Sequence, residues 1–470
     1  MKQAIVIMHG MGEQIPMSTL NSFVHSVWTT DDSLVDQGKP DPNTGGARDG
    51  NASWAKPDGR NNSTELRRVT TERDASGNYT DFYEYYWAHL MQGNTWEHVK
   101  SWIQDLLLRN PFTRVPARVF HAWLVLWLIA LVVIAVTLNG MWPKEDVSEP
   151  GVSFFLSLIG LGLAAFVSNV LIKRFGDVAR YVKAWPPNVA KRHAIRQAGV
   201  DLLIRLIDSK DSKGNDEYER IVVVAHSLGT IVAYDILAMV FDHFNGKFGT
   251  SKNQPERDKL EQMIRDAQAS GKLDIDAFQV QQAATLAEAR DHGAPWKITD
   301  FVTLGSPLTH AEFLMAESLE DLRARQVRRN LPTCPPVMEY DGTTKLHHFT
   351  YSVKADRKPS DQRTPHHAAA FGYTRWTNLF SPEKYIVTGD LISGPVGEAF
   401  GSKGEGGLIQ GIRDIAVLPR LDGQGQIAPG HRRSGFSHNN YWNMGKGTET
   451  DAVAVPHHIE ELRKALGILR

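Results

Sequence analysis

Short apolar runs rich in β-branched residues recur along the chain, most of them followed by a segment with helical spacing. Ala4-Ile5-Val6-Ile7-Met8 reads as a first core strand. Ile221-Val222-Val223-Val224, within Glu219–Val224, reads as a buried parallel strand. Ile298–Leu304 and Trp376–Phe380 are two further strands. The spacing predicts helices over Val189–Ile207, Ile231–Leu237, Ala311–Gln326 and Glu449–Leu466, the last broken at Pro456. Thr64–Glu72 and Tyr79–Trp87 form a predicted strand pair around Asp74-Ala75-Ser76-Gly77-Asn78. Asp31–Arg60, rich in Asp, Asn, Gly and Pro, reads as a long surface loop. Thr250–Ala294 is polar and helical in character, an insertion or a lid. Strands alternating with helices predict an α/β fold with a mostly parallel central sheet.

Two stretches break this pattern. Val119–Leu138 (VFHAWLVLWLIALVVIAVTL) and Val152–Ile172 (VSFFLSLIGLGLAAFVSNVLI) carry no formal charge. Each is long enough to cross a hydrocarbon core of about 30 Å. They predict a transmembrane helical hairpin at 119–172, inserted between residues 1–118 and 173–470 of one α/β domain, with 250–294 as the helical insertion. Arg109, Arg114 and Arg118 precede the first stretch, and Lys173, Arg174, Arg180 and Lys183 follow the second. The intervening loop sets Lys144 against Glu145, Asp146 and Glu149. This bias puts both flanks, and the domain, on the cytoplasmic side. Met1-Lys2-Gln3 runs directly into the first strand, with no secretory signal pattern, which favours a bacterial inner membrane. Trp123, Trp127 and Trp142 read as interfacial anchors. A buried helical hairpin roofing a soluble domain is the competing reading. Upstream, Trp96, Val99, Trp102, Ile103, Leu106 and Leu107 recur at helical spacing, as a core face or an interfacial helix. The two stretches contain no ionisable residue apart from His121, which argues against a transport pathway.

Composition narrows the field. The 470 residues carry a formal net charge of −1, so no global field points to nucleic acid. Cys334 is the one cysteine, which rules out an intramolecular disulfide and suits a reducing compartment.

The candidate chemistry starts at Ala225-His226-Ser227-Leu228-Gly229-Thr230, directly behind the Ile221–Val224 strand and before the Ile231–Leu237 helix. A serine on a tight strand-to-helix turn is held out as a nucleophile, and the turn needs small residues two before and two after it. Ala225 and Gly229 meet that demand, although glycine is the commoner residue at the first position. The alternative is an ordinary turn whose serine caps the helix. The turn resembles the nucleophile elbow of the α/β-hydrolases. After the first strand comes His9-Gly10-Met11-Gly12, whose glycines let the backbone turn sharply toward a site. Met11 and Leu228 are the expected donors of an oxyanion hole.

In the α/β-hydrolases the acid and then the histidine follow the serine along the chain. That order implies Asp390, in Gly389-Asp390-Leu391-Ile392-Ser393-Gly394-Pro395, with Glu383 as the alternative and Asp414 and Asp422 weaker. It implies His438, in Ser437-His438-Asn439-Asn440-Tyr441-Trp442, ahead of His431, His457 and His458. His347-His348 and His366-His367 precede the acid, and no acidic or cysteine partner at ligand spacing makes them a metal site.

The chain is thus similar to the lipase and esterase branch of the α/β-hydrolase superfamily. The likeness rests on His9–Gly12, Ala225–Gly229, Leu304-Gly305-Ser306-Pro307-Leu308, Trp376-Thr377-Asn378-Leu379 followed by Asp390, and His438 before Tyr441-Trp442. It spans Met1–Gly12 and most of Glu219–Arg470, and leaves out the hydrophobic hairpin and the 250–294 insertion. The gap between Phe380 and Asp390 is longer than the family's commoner spacing. The resemblance implies a Ser227–His438–Asp390 triad, with His9, Gly10, Gly12, His226 and Gly229 in support, cleaving carboxylic esters with no cofactor and no metal. The expected partners are a lipid or other acyl-ester substrate and a membrane bilayer, with no nucleic acid; oligomeric state is left open. An acyltransferase or thioesterase would use the same triad, and a hydrolase fold retained as a non-catalytic membrane module is the third reading.

Overall fold

The computed structural model describes residues 2–11, 15–34, 39–61, 63, 65–91, 108–110, 114–115, 120, 123–124, 127–128, 131, 181–182, 186–248, 253–353, 362–382, 390, 392–417, 437–444 and 455–469. Its centre is an 8-stranded sheet. The strands of that sheet are β1 (Lys2–Met8), β2 (Ser53–Pro57), β3 (Arg67–Thr71), β4 (Tyr79–Tyr85), β5 (Arg220–His226), β6 (Ile298–Leu304), β11 (Arg375–Phe380) and β14 (Arg413–Ala416). Small hairpins account for β7 (Glu339–Asp341) with β8 (Leu346–His348), β9 (Thr350–Ser352) with β10 (Arg363–Pro365), and β12 (Ser402–Gly404) with β13 (Gly407–Ile409).

The order across the sheet is β14-β11-β6-β5-β1-β4-β3-β2. From β14 to β4 every neighbouring pair is parallel, and β3 and β2 add an antiparallel edge. The described helices are α1 (Ser18–Val24), α2 (Pro186–Asp208), α3 (Leu228–Asn245), α4 (Pro255–Ser270), α5 (Ile275–Asp291), α6 (Ala311–Leu314), α7 (Leu319–Val327), α8 (Gly397–Phe400) and α9 (His457–Leu466).

Alternation along the central strands feeds two cores. Ala4, Val6, Met8, Ile221, Val223 and Ala225 face the side covered by α2 and α3. Ile5, Ile7, Val222 and Val224 face the side covered by α1 and α9. Successive strand residues point to opposite faces, and both faces are covered, so the run reads as continuously apolar. The chain leaves β1 toward one side of the sheet and β5 toward the other. The carboxyl ends of these two neighbours therefore flank the crevice where open parallel sheets bind ligands.

The predicted strands and their neighbours fall where the pattern put them, and two expectations need correction. The Asp31–Arg60 loop contains β2, which pairs with β3 in the register Trp54↔Thr70. Its residues are mostly exposed, so no apolar alternation announced it. The single helix expected over Ala311–Gln326 is two, α6 and α7, because Ser318 caps α7 by accepting the Asp321 N–H at 3.2 Å. The 250–294 segment is helical, as α4 and α5, and its buried Leu260, Ile264, Phe278 and Leu286 join the main core.

No helix among the described residues is long and apolar enough to cross a membrane. The 152–172 stretch, most of 119–138 and the Trp96–Leu107 stripe lie outside the described residues. Of the first stretch, Phe120, Trp123, Leu124, Trp127, Leu128 and Leu131 are helical. Trp123 is buried in the main core, and Phe120 and Trp127 pack against it. Trp123 is therefore a core contact of the domain and not an outward-facing anchor. Leu124, Leu128 and Leu131 are exposed, on the flank of the helix next to Phe120, Trp123 and Trp127.

Candidate active site

Ser227 joins β5 to α3 at φ 53° and ψ −132°, a conformation that L-residues rarely adopt and that only its surroundings can hold. The Ser227 N–H donates to Leu304 O at 3.0 Å, extending the β5–β6 ladder into the turn. Its carbonyl accepts from the Thr230 N–H at 2.9 Å and from Thr230 Oγ1 at 2.7 Å. Thr230 Oγ1 in turn meets Ser306 Oγ at 2.8 Å, so the loop after β6 braces the turn after β5.

The small residues of the motif have a concrete cause. A Cβ on Gly229 would lie 2.3 Å from His9 O and 2.7 Å from Met8 O, both backbone atoms that cannot swing away. A Cβ on Gly10 would lie 2.9 Å from Ser227 Cβ. The loop after β1 is thus in contact with the serine itself.

His438 Nε2 lies 2.8 Å from Ser227 Oγ, and His438 Nδ1 lies 2.9 Å from Asp390 Oδ2. Burial pushes the Asp390 carboxyl up, but its hydrogen bonds with His438, Ser393 and Tyr441 outweigh that and hold it at about 2. An ionised carboxylate only accepts, so Nδ1 carries the imidazole proton and Nε2 presents its lone pair to the Ser227 hydroxyl. Asp390 is fully engaged: Oδ1 accepts the Ile392 N–H at 3.0 Å, and Oδ2 also accepts Tyr441 Oη–H at 2.8 Å.

Two further histidines shape the site without joining that series. The His226 ring lies 4.9 Å from the His438 ring, and its Nε2–H donates to the His438 carbonyl at 2.7 Å. Burial, then the neighbouring His438, lowers the His226 pKa to about 3, so it stays neutral. His9 Nδ1–H donates to Gly10 O at 2.8 Å, while Nε2 accepts the Trp87 N–H at 3.1 Å. Stacked on Trp87 with ring centroids 5.0 Å apart, and lowered to about 4 by burial, His9 pins the loop after β1 to the segment after β4.

Ser227, Asp390 and His438, which are 48 or more positions apart in the chain, are therefore brought together at the carboxyl end of the sheet. Leu228 opens α3, whose first N–H groups have no acceptor within the helix. Met11 follows Gly10 over the serine and packs against the main core. Gly12, Glu383 and His431 lie outside the described residues. His458 is engaged elsewhere, with Asn443 O at 2.9 Å. Asp414 accepts from Asn378 Nδ2, the Val396 N–H and the Gly397 N–H, and thereby anchors the loop downstream of Asp390. His348 Nδ1 meets the buried Glu261 carboxylate at 2.5 Å, a partner distant in sequence. Among the described residues no group of His, Cys, Asp and Glu side chains could hold a metal ion.

Sequence reasoning missed the roles of Tyr441 and Gly305. Tyr441 Oη binds Asp390, accepts the Ser381 N–H at 3.1 Å and meets Ser393 Oγ at 3.0 Å, tying three loops together. Gly305 sits at φ 58° under Tyr441, Asp390 and His438. The aromatic hydroxyl three residues after His438 and the glycine at the end of β6 were the available signals.

A hydroxyl facing an imidazole lone pair whose far side is fixed by a carboxylate has a base in place to take its proton. No family model, curated protein or solved structure matches this chain.

Proposed function

We propose that this protein is a serine hydrolase of the α/β-hydrolase superfamily, similar to its lipase and esterase branch, that cleaves carboxylic esters through an acyl-enzyme. The reading is carried by the continuous Ser227–His438–Asp390 hydrogen-bond series on a strained strand-to-helix turn. Ser227 Oγ attacks the ester carbonyl as its proton passes to His438 Nε2. Asp390 stabilises the imidazolium that results. The Leu228 and Met11 N–H groups are the proposed donors to the carbonyl oxygen as it becomes negative. His438 then protonates the leaving alcohol, and the C–O bond breaks to give the Ser227 acyl ester. Water, deprotonated by His438, repeats the sequence and releases the acid.

The two uncharged stretches within 119–172 anchor this domain to a bilayer, with the basic flanks and the site on the cytoplasmic face. The exposed Leu124, Leu128 and Leu131 support that reading, since a helix face of this kind in water has nothing to cover it.

Labelling by a fluorophosphonate probe tests the chemistry. The native chain reacts and Ser227→Ala does not. A folded native chain that stays unlabelled, and that hydrolyses no p-nitrophenyl ester, would overturn the proposal in favour of a non-catalytic membrane module.

A further inference from the structure

A cleft of about 990 Å³ opens beside α3, and Ile231, Tyr234, Asp235, Ala238 and Met239 of that helix line it. At 1.5 Å per residue, Ile231 lies about 6 Å along the chain axis from Ser227. The opposite walls come from Leu108–Asn110 and Arg114, from Tyr181 and Val182, and from Leu314–Glu317. These first two segments are the ones that lead into and out of the 119–172 stretch.

The cleft's charge is lopsided. Arg109, Arg114, Arg192, Arg196 and Arg325 line it, against Asp235 and Glu317. Among the described residues Arg196 pairs with Asp235, Arg325 with Asp321 at 2.8 Å, and Arg109 donates to Phe313 O at 2.9 Å. Asp235 is further occupied by Tyr181 Oη–H at 2.8 Å. Among the described residues Arg192 Nε is buried with no hydrogen-bond partner, and its guanidinium rests 5.7 Å from the Tyr181 ring centroid. The Arg192 side chain lines the cleft without a carboxylate ion pair among the described residues, and the planar fork of guanidinium donors matches phosphate oxygens. The remaining walls, with Ile231, Met239, Leu314, Met315 and Leu331, are apolar.

We propose that this cleft binds a phosphate ester, with the phosphate at Arg192 and Arg114 and the apolar part of the ligand along α3. Its position beside the hydrophobic stretch and one helical turn from Ser227 suits an anionic phospholipid whose acyl ester is the substrate. That last assignment rests on the ester-hydrolase reading; the binding of phosphate does not.

The test uses the full-length chain in detergent, carrying Ser227→Ala so that nothing turns over, with calorimetric titration of three soluble probes. Dihexanoyl phosphatidylglycerol is expected to bind at least tenfold more tightly than dihexanoylglycerol, which lacks the phosphate. Glycerol 3-phosphate separates the sources: weak binding assigns the site to a lipid, and binding equal to that of the lipid assigns it to a soluble phosphate ester. Arg192→Gln is expected to weaken the phosphate probes at least tenfold. Arg114→Gln, at an exposed position whose loss spares the fold, is expected to weaken them about threefold. Equal affinity for probes with and without phosphate, or phosphate binding unchanged in both variants, overturns the site. Because the titration needs no serine chemistry, loss of fluorophosphonate labelling and loss of phosphate binding report separately on the two proposals.

Discussion

Gly305 and Tyr441 are packed so closely that a Cβ on the glycine would lie 2.6 Å from Tyr441 Cε2. The same Cβ would lie 3.2 Å from both Asp390 Oδ2 and His438 Nδ1. Gly305 also holds φ at 58°, a strained value for any residue with a side chain. Gly305→Ala is therefore expected to cost about 1–3 kcal/mol of stability from crowding and strain. Ester hydrolysis should fall at least tenfold while the variant is still folded. Thermal unfolding and kcat/KM on a soluble ester, measured together, check this; a variant with native activity would mean the glycine only serves the turn.

The Tyr441 hydroxyl gives Asp390 Oδ2 its second donor. Tyr441→Phe keeps the ring and removes that bond, and hydrogen bonds to a charged group are worth about 1.5–3 kcal/mol. The expected result is a fall in kcat of roughly tenfold with KM little changed. Asp390→Asn, which loses the charge and the tautomer control, should cost on the order of 10³–10⁴ in kcat. A Tyr441→Phe loss as large as that of Asp390→Asn would contradict the supporting role given to the tyrosine.

His226 acts on the site through the backbone of His438. His226→Phe preserves bulk but leaves the His438 carbonyl without its donor, so kcat should drop roughly tenfold. In His226→Gln the amide N–H can take the place of Nε2–H, and more of the activity should survive. If the phenylalanine and glutamine variants are equally impaired, the ring and not its hydrogen bond is what matters.

The buried imidazoles make stability sensitive to mild acid. His9 and His366 are lowered to about 4 and His226 to about 3, in each case first by burial. An unfolded histidine titrates near 6.5, so between there and about 4 the unfolded chain binds more protons than the folded one. Stability is fully present above pH 6.5 and is lost as pH falls, by up to about 1.4 kcal/mol per unit for each group. Glu84, raised to about 7 by burial, works in the opposite sense, stabilising at low pH and losing its contribution as pH rises from 4.5 toward 7. The three histidines outweigh Glu84 and predict a net decline in the urea midpoint between pH 6.5 and 4.5. A midpoint that is flat or rises over that range would mean these rings are solvated in the folded state.

The local pattern alone was enough to place β1, β5 and β6, because strands buried on both faces are marked by runs rich in β-branched residues, and β11 by its short Trp376–Phe380 run. It also marked Ser227, since the neighbours of a strained turn must be small, and that demand is written within a few residues. The short edge strand β2 was not legible, as its exposed residues carry no alternation. Nor was β14, a strand of only Arg413–Ala416 held by its pairing with β11 and by the Asn378–Asp414 bond. Asp390 could be named from chain order but not distinguished from other turn carboxylates by anything near it. Its partners His438 and Tyr441 lie 48 and 51 positions away. The strained serine turn and the buried central strands were legible in the sequence because steric and hydrophobic constraints act between neighbours. The acid, the tautomer of His438 and the arginine cleft were decided only by tertiary structure, because charges and hydrogen bonds act across whatever distance in sequence the fold closes.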